Sequence, residues 1–167
     1  YHPSDSLLDL VAAGMDLSLR TTGRRDSSLH AVNLAVFDIW CVASPEYLRV
    51  RGTPRRLADL ASHDWIAFTP VPHPWTLRTR DGKESVRLAR RLGTSSTSGG
   101  RALALAGAGI CAGPEFALEA DVAAGRLVRL LPSLKFPQVA LYAAWPGHRE
   151  PPSKTRAFID LAKARLR

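Results

Sequence analysis

The sequence predicts an α/β fold, and three observations carry that prediction. Short runs suited to pleated strands, such as Trp65–Phe68, Leu127–Leu131 and Val139–Trp145, alternate with segments of helical period. Helix start and stop signals fall between them: Ser44-Pro45-Glu46 opens one segment and Gly125 closes another. The length of 167 residues, 46% hydrophobic and 23% charged, suffices for one cored domain or two small lobes. Because strands and helices alternate, the sheets are expected to be largely parallel. No apolar run reaches the length of a transmembrane helix, and no signal-peptide pattern opens the chain. Tyr1 is not an initiator, which points to a piece of a longer protein.

In chain order, Ser4–Ala13 reads as a helix with an apolar face of Leu7, Leu8, Leu10 and Val11, stopped by Gly14. Met15–Arg20 alternates like a strand. A polar loop, Thr21–Ser28, precedes two separate extended segments, Leu29–Leu34 and Ile39–Ala43. Ser44-Pro45-Glu46 starts a short helix that ends at Gly52, and Thr53-Pro54 repeats the signal for a helix over Arg55–Ala61. Trp65–Phe68 is a strand. Trp75–Arg80 and Ser85–Ala89 flank Asp81-Gly82, a hairpin signal. Pro114 starts a helix that ends at Gly125. Leu127–Leu131 and Val139–Trp145 are strands, and Lys154–Arg165 is a last helix with Phe158, Ile159, Leu161 and Ala162 on its apolar side.

The stretch 93–113 is the centre of the reading. Thr94, Ser95, Ser96, Thr97 and Ser98 form a hydroxyl-rich turn, Arg101–Ala106 a helix of small and apolar residues, and Ile110–Ala112 a short buried strand. Two readings of the turn stand side by side. The hydroxyls can cap the helix, or hydroxyls and first-turn N–H groups together can cradle an anion. Gly107-Ala-Gly-Ile-Cys-Ala superficially fits a dinucleotide fingerprint. Its glycines end a helix and enter a strand, the reverse of what pyrophosphate binding needs.

Charge is uneven. The net formal charge is +8, and residues 45–101 carry ten Arg and Lys83 against five acids. Such a balance draws a protein toward polyanions or acidic ligands, or simply makes a solvated surface. Cys41 and Cys111 lie in apolar runs and read as buried free thiols. The five histidines show no metal-ligand spacing, no Gly-x-Ser-x-Gly elbow occurs, and His63 beside Asp64 reads as a surface group. No catalytic residues, metal site or cofactor are expected, and the chain does not read as an enzyme.

The ordered phrases resemble the effector-binding domain of LysR-type transcriptional regulators. They are Asp9-Leu-Val-Ala-Ala-Gly-Met-Asp-Leu-Ser-Leu-Arg20; Asp26-Ser-Ser-Leu29; Ala43-Ser-Pro-Glu-Tyr-Leu48; Gly52-Thr-Pro54; Leu57-Ala-Asp-Leu-Ala-Ser-His63; Ala106-Gly-Ala-Gly-Ile110; Ala124-Gly-Arg-Leu-Val-Arg-Leu-Leu-Pro132; and Arg156-Ala-Phe-Ile-Asp160. The resemblance implies a bilobal, periplasmic-binding-protein-like (type II) fold of two Rossmann-like subdomains. Lobe I is expected from 1–44 and 137–167, and lobe II from 45–136. The family's first strand, helix and strand have no counterpart ahead of Ser4, so lobe I is expected to be incomplete.

The resemblance further implies a small effector, carboxylate-like to suit the hydroxyl turn, bound in an interlobe cleft. Thr94, Ser95, Ser96, Thr97 and Ser98, then Thr21, Thr22 and Gly23, and Pro114 with Glu115 would line it. Arg101 could pair with an acidic effector or stay solvated. The implied setting is a cytoplasmic homodimer or tetramer with no membrane partner. DNA would be held by an N-terminal winged helix-turn-helix outside this chain. A transporter solute-binding protein of the same fold is the alternative.

Overall fold

In a computed structural model the chain is described at residues 10, 12–21, 29–69, 75–147 and 150–166. It divides into two units, Tyr1–Phe37 with Val139–Arg167, and Asp38–Gln138. The chain therefore passes between units twice, at Phe37–Asp38 and at Gln138–Val139.

In the first unit, β1 (Ser18–Arg20) pairs antiparallel with β9 (Gln138–Pro146), with Leu19 opposite Ala143. β9 in turn neighbours β2 (Leu29–Ala43). Helix α4 (Ser153–Arg165) lays Ile159 and Ala162 against Leu34, Ala143 and Trp145. The helix expected over Ser4–Ala13 falls mostly outside the described residues; Leu10 and Ala12–Gly14 form turns. The expected strand Met15–Arg20 shortens to three residues. Met15 and Leu17 pack inward, while Leu19 is half exposed.

One correction concerns β2. The two extended segments separated by Ala35–Asp38 are a single strand of fifteen residues. Nothing in 35–38 breaks an extended chain, since the run holds no Gly or Pro. The expected gap reflected only a lapse in alternation.

The second unit is three layers. Its sheet runs β2, β7 (Ile110–Pro114), β3 (Trp65–Phe68), β6 (Arg90–Thr94), with β8 (Val128–Leu130) on β2. Side chains alternate through it. Cys41, Trp65, Ala67 and Ile110 face one layer; Val42, Ile66 and Cys111 face the other. The first layer holds α1 (Pro45–Arg51), a 3-10 turn (Leu57–Ser62) and the β4–β5 ribbon (Trp75–Arg78, Ser85–Leu88). The opposite layer holds α2 (Thr97–Leu105) and α3 (Glu115–Ala123), which contribute Ala104 and Leu118.

β3 pairs parallel with both β6 and β7, whereas β2 meets both β7 and β8 antiparallel, as β1 meets β9. The sheets are thus mixed rather than largely parallel. Parallel neighbours need a long crossover connection, which the β4–β5 ribbon supplies between β3 and β6, with α2 leading on from β6 to β7.

Local chemistry explains several element boundaries. Ser44 Oγ accepts the Tyr47 N–H at 3.2 Å and Pro45 stands in the first turn of α1. The segment after Thr53-Pro54 forms a 3-10 helix over Leu57–Ser62, not an α-helix over Arg55–Ala61. There Asp59 turns back to accept the N–H groups of Arg55 and Arg56 at 3.1 and 2.9 Å, which keeps both residues outside the helix. The hairpin turn is wider than Asp81-Gly82 alone. It closes where the Thr79 N–H meets the Glu84 carbonyl at 2.9 Å, and Asp81 is spent on the Thr79 hydroxyl and the Lys83 N–H.

The two cysteines are free and buried, as the sequence suggested. They sit on opposite faces of the sheet, so no disulfide can join them. Burial raises both thiols above their ordinary range, Cys111 to about 12, and Cys111 adds to the effect on Cys41.

Asp121 is the unit's buried charge, its side chain 1% exposed. Its carboxylate takes Arg101 of α2 through Nε, and Arg126 beyond α3 at 2.6 and 2.8 Å. Arg101 is therefore engaged with Asp121 while its side chain stays 39% exposed. The hydrogen bond from Arg101, then that from Arg126, hold the Asp121 carboxyl below the usual carboxylate range, against the opposing effect of burial. Asp121→Asn should destabilise by about 2–3 kcal/mol, below the figure for a fully buried pair because both guanidinium groups reach solvent. A depressed folded pKa gives stability that is present above the ordinary carboxylate value and lost as pH falls through the folded one. Urea melts of wild type and D121N should accordingly differ constantly from neutral pH down to about 5 and converge below about 4.

Candidate functional site

Three parallel strands of the second unit end on one edge of its sheet. Phe68 of β3 is in register with Thr94 of β6, and β7 runs the same way from Ile110 to Pro114. Two of these ends turn directly into helices: β6 leads through Ser95 and Ser96 into α2, and β7 leads into α3 at Glu115. The two helix N-termini therefore open on the same edge. In α/β sheets this carboxyl edge is where ligands bind, because helix dipoles and first-turn N–H groups converge there.

The hydroxyl turn does two jobs within itself. Thr94 Oγ1 accepts the Ser96 N–H at 3.1 Å. Ser96 is the N-cap: its side chain accepts the Gly99 N–H at 3.1 Å and its carbonyl the Gly100 N–H at 3.0 Å. Ser96 and Ser98 hydroxyls lie 2.6 Å apart. The helix thus begins at Thr97, four residues earlier than Arg101, because capping carries it back through Ser98, Gly99 and Gly100. Thr94 and Ser96 are spent on this local structure, while Ser95 and Ser98 are exposed to solvent.

A glycine permits the arrangement. A Cβ on Gly99 would stand 2.5 Å from Thr94 Oγ1. The neighbouring junction comes close as well: a Cβ on Gly113 would meet Thr97 Cγ2 at 3.9 Å and Leu118 Cδ1 at 3.5 Å. So the structure brings Thr94–Ser98 and the Gly113–Glu115 junction together.

Pro114 is the N-cap residue of α3, not its first helical residue. Glu115 Oε1 accepts the backbone N–H of Asp38 at 3.2 Å, which ties the helix start to β2 where that strand enters the unit. Asp38 is a node that sequence reasoning missed. Its Oδ1 accepts Arg80 at 2.6 Å and Gln138 Nε2 at 3.0 Å, and Arg80 Nε also donates to the Phe136 carbonyl. The Gln138 amide, then Arg80, keep the Asp38 carboxyl below its ordinary range despite partial burial. The two points where the chain enters and leaves this unit are thereby bonded to each other. These partners stand 42 and 100 residues from Asp38 in sequence, so no local pattern could reveal them.

Of the remaining candidates, Thr21 is an exposed bend after β1 in the first unit, and Thr22 and Gly23 lie outside the described residues. His63 is half-buried rather than a surface group, its Nδ1 3.1 Å from the Tyr47 hydroxyl. Burial, then Arg51, lower its pKa. Among the described residues no group of His, Cys, Asp and Glu is placed to hold a metal, and no helix is long and apolar enough to cross a membrane.

Comparison with known proteins gives the geometry its context. The family model of the LysR substrate binding domain matches residues 2–167. The chain is 39% identical over 166 residues to the HTH-type transcriptional regulator PtxR of Pseudomonas aeruginosa, covering 97% of this chain and 53% of that protein. It is 32% identical over 130 residues to the regulator CrgA of Neisseria meningitidis, covering 77% and 43%. The solved regulatory domain of CrgA superimposes with a TM-score of 0.81 at 28% identity, over 94% of this chain and 78% of that one. Full-length AphB of Vibrio cholerae gives a TM-score of 0.76 at 26% identity, over 98% and 56%. The chain spans about half the length of the curated relatives it matches. These relatives are transcriptional regulators, not transporter solute-binding proteins.

Two substitutions separate cap from surface in the hydroxyl turn. Ser96→Ala should cost about 1 kcal/mol and Ser95→Ala close to none, read from denaturant midpoints. Gly99→Ala should destabilise by about 1 kcal/mol in spite of the usual gain of Ala over Gly in a helix. The double variant T94A/G99A should then lose less than the sum of the two single changes.

Proposed function

The chain belongs to the LysR substrate binding domain family, as the effector-binding domain of a LysR-type transcriptional regulator, and we propose that it senses a small carboxylate-bearing metabolite. The carrying observation is the convergence of the β6–α2 and β7–α3 junctions on one sheet edge of the second unit. Exposed Ser95 and Ser98 hydroxyls, together with the N-terminal dipoles of α2 and α3, suit a carboxylate at that edge. Glu115, already engaged with the Asp38 N–H, sets a second requirement: the ligand's negative charge sits on the α2 side, away from it.

In this reading the effector acts by population shift. It stabilises whichever arrangement offers it both junctions, and can move the equilibrium only by its difference in affinity between states. The Asp38–Arg80–Gln138 cluster couples that edge to the two chain crossings. The regulator as a whole would be a cytoplasmic homo-oligomer, and a winged helix-turn-helix outside this chain would read the DNA sequence. No reaction is assigned to the domain.

A thermal-shift screen with small mono- and dicarboxylates tests the proposal. A ligand at about 100 times its Kd stabilises by ~2.7 kcal/mol, enough to raise the Tm by several degrees. S95A/S98A should lose most of that rise while its own Tm stays near wild type. A set of carboxylates that leaves wild type unmoved, or a shift that survives S95A/S98A intact, sinks the site.

A further inference from the structure

The arginine surplus of the second unit can be divided by asking where its acids go. Asp38 takes Arg80; Glu46 takes Arg49; Asp59 takes Arg56; Asp64 takes Arg51 and Arg91; Asp81 takes Lys83; Asp121 takes Arg101 and Arg126. Arg129 lies over the Trp40 ring at 4.3 Å. Against the described acids, Arg55, Arg78, Arg87, Arg90 and Lys135 are left without an ion pair, and of these Arg78 and Arg87 stand together on one small surface.

That surface is the outer face of the β4–β5 ribbon. Leu77, Val86 and Leu88 point inward and are buried at 2%, 7% and 1% exposure. By alternation the opposite face carries Thr76, Arg78, Ser85 and Arg87, all exposed. Register puts Thr76 beside Arg87 and Arg78 beside Ser85, so the two guanidinium groups are diagonal neighbours with a hydroxyl next to each. No acid shares the face. Asp81 is held in the turn by Thr79 and Lys83, and Glu84 lies outside the paired segment. Two like charges at diagonal positions repel and add nothing to the fold, so packing gives no reason for the pair. Neighbouring guanidinium groups flanked by hydroxyl donors are the side-chain types that contact backbone phosphates.

We propose that this ribbon face is a contact surface for the phosphate backbone of duplex DNA, with Arg78 and Arg87 as its contacting cations. The choice of DNA over other polyanions rests on the regulator reading given above, since a domain attached to a DNA-binding module spends its working life beside a duplex. The contact is sequence-independent and weak. It adds affinity and salt dependence to whatever the sequence-reading module supplies, and it is separate from the edge where the effector is placed.

Fluorescence anisotropy of the 167-residue chain with a short labelled duplex of scrambled sequence, titrated from about 50 to about 200 mM salt, tests it. Binding should weaken steeply with salt. R78A/R87A should lower the slope of log K against log salt by about 2 and weaken low-salt binding by roughly tenfold. R78K/R87K, which keeps the charge, should stay near wild type in slope. The control K163A/R165A, at the far end of α4, should leave it unchanged. Circular dichroism and melting of R78A/R87A should match wild type, since both side chains are exposed.

The proposal is overturned if R78A/R87A leaves the slope unchanged, if the α4 control lowers it equally, or if phosphatidylserine-containing vesicles bind through the same arginines while duplex DNA does not. The carboxylate thermal shift should be the same in R78A/R87A as in wild type. Loss of DNA binding with that shift preserved separates this contact from the effector site.

Discussion

Asp64, at the head of β3, ties the second unit together. Its N–H donates to the Tyr47 hydroxyl at 2.8 Å and so anchors α1. Its carbonyl accepts the Ile110 N–H at 2.9 Å and so sets where β7 begins against β3. Its carboxylate takes Arg91 of β6 at 2.7 Å and Arg51 of α1 at 3.6 Å. Four elements meet at one residue, and the approach is close enough to dictate a neighbour's identity. A Cβ on Gly109 would collide with the Asp64 carbonyl, and Gly109 itself sits at φ +152°. With that contact in place the register of β7 on β3 follows, and with it the edge on which Pro114 and Thr94 emerge.

The edge shared by the α2 and α3 N-termini inherits its geometry from this register, not from the hydroxyl residues alone. Ser and Thr at 94–98 decide where α2 begins; the alignment of β6 and β7 on β3 decides that its N-terminus shares an edge with that of α3. Charge is then distributed by the same fold. Acids are consumed by arginines wherever two elements must be held together: Asp121 between α2 and the segment after α3, Asp38 between the chain's two crossings, Asp64 among α1, β3 and β6. Of the cations left over, Arg78 and Arg87 share the exposed face of the β4–β5 ribbon.

Much of the fold was legible locally, because its signals are local. Ser44-Pro45 could be read as a helix start, since a cap and a fixed φ need only neighbouring residues. The strands 65–68 and 138–146 show in runs that hold β-branched and aromatic residues. The hydroxyl turn and the strand-to-helix junction at 113–115 were visible for the same reason, as was the family resemblance that linked them. The length of β2 was not legible: residues 35–38 neither alternate nor break, and only pairing partners decide that the chain stays extended there. Likewise Asp59's return to the Arg55 and Arg56 N–H groups replaced an expected α-helix with a 3-10 turn.

What the sequence by itself determined is therefore the α/β class, the order of most elements, the membership in a family and the identity of the hydroxyl turn. All of these rest on interactions spanning a few residues or on the order of phrases along the chain. Tertiary structure alone decided which strands run parallel, that Arg101 serves Asp121, that Asp38 joins Arg80 and Gln138, and that Arg78 and Arg87 share a face without an acid. A charged side chain finds its partner across the fold, over separations of twenty to a hundred residues, and no periodicity in the sequence encodes that choice.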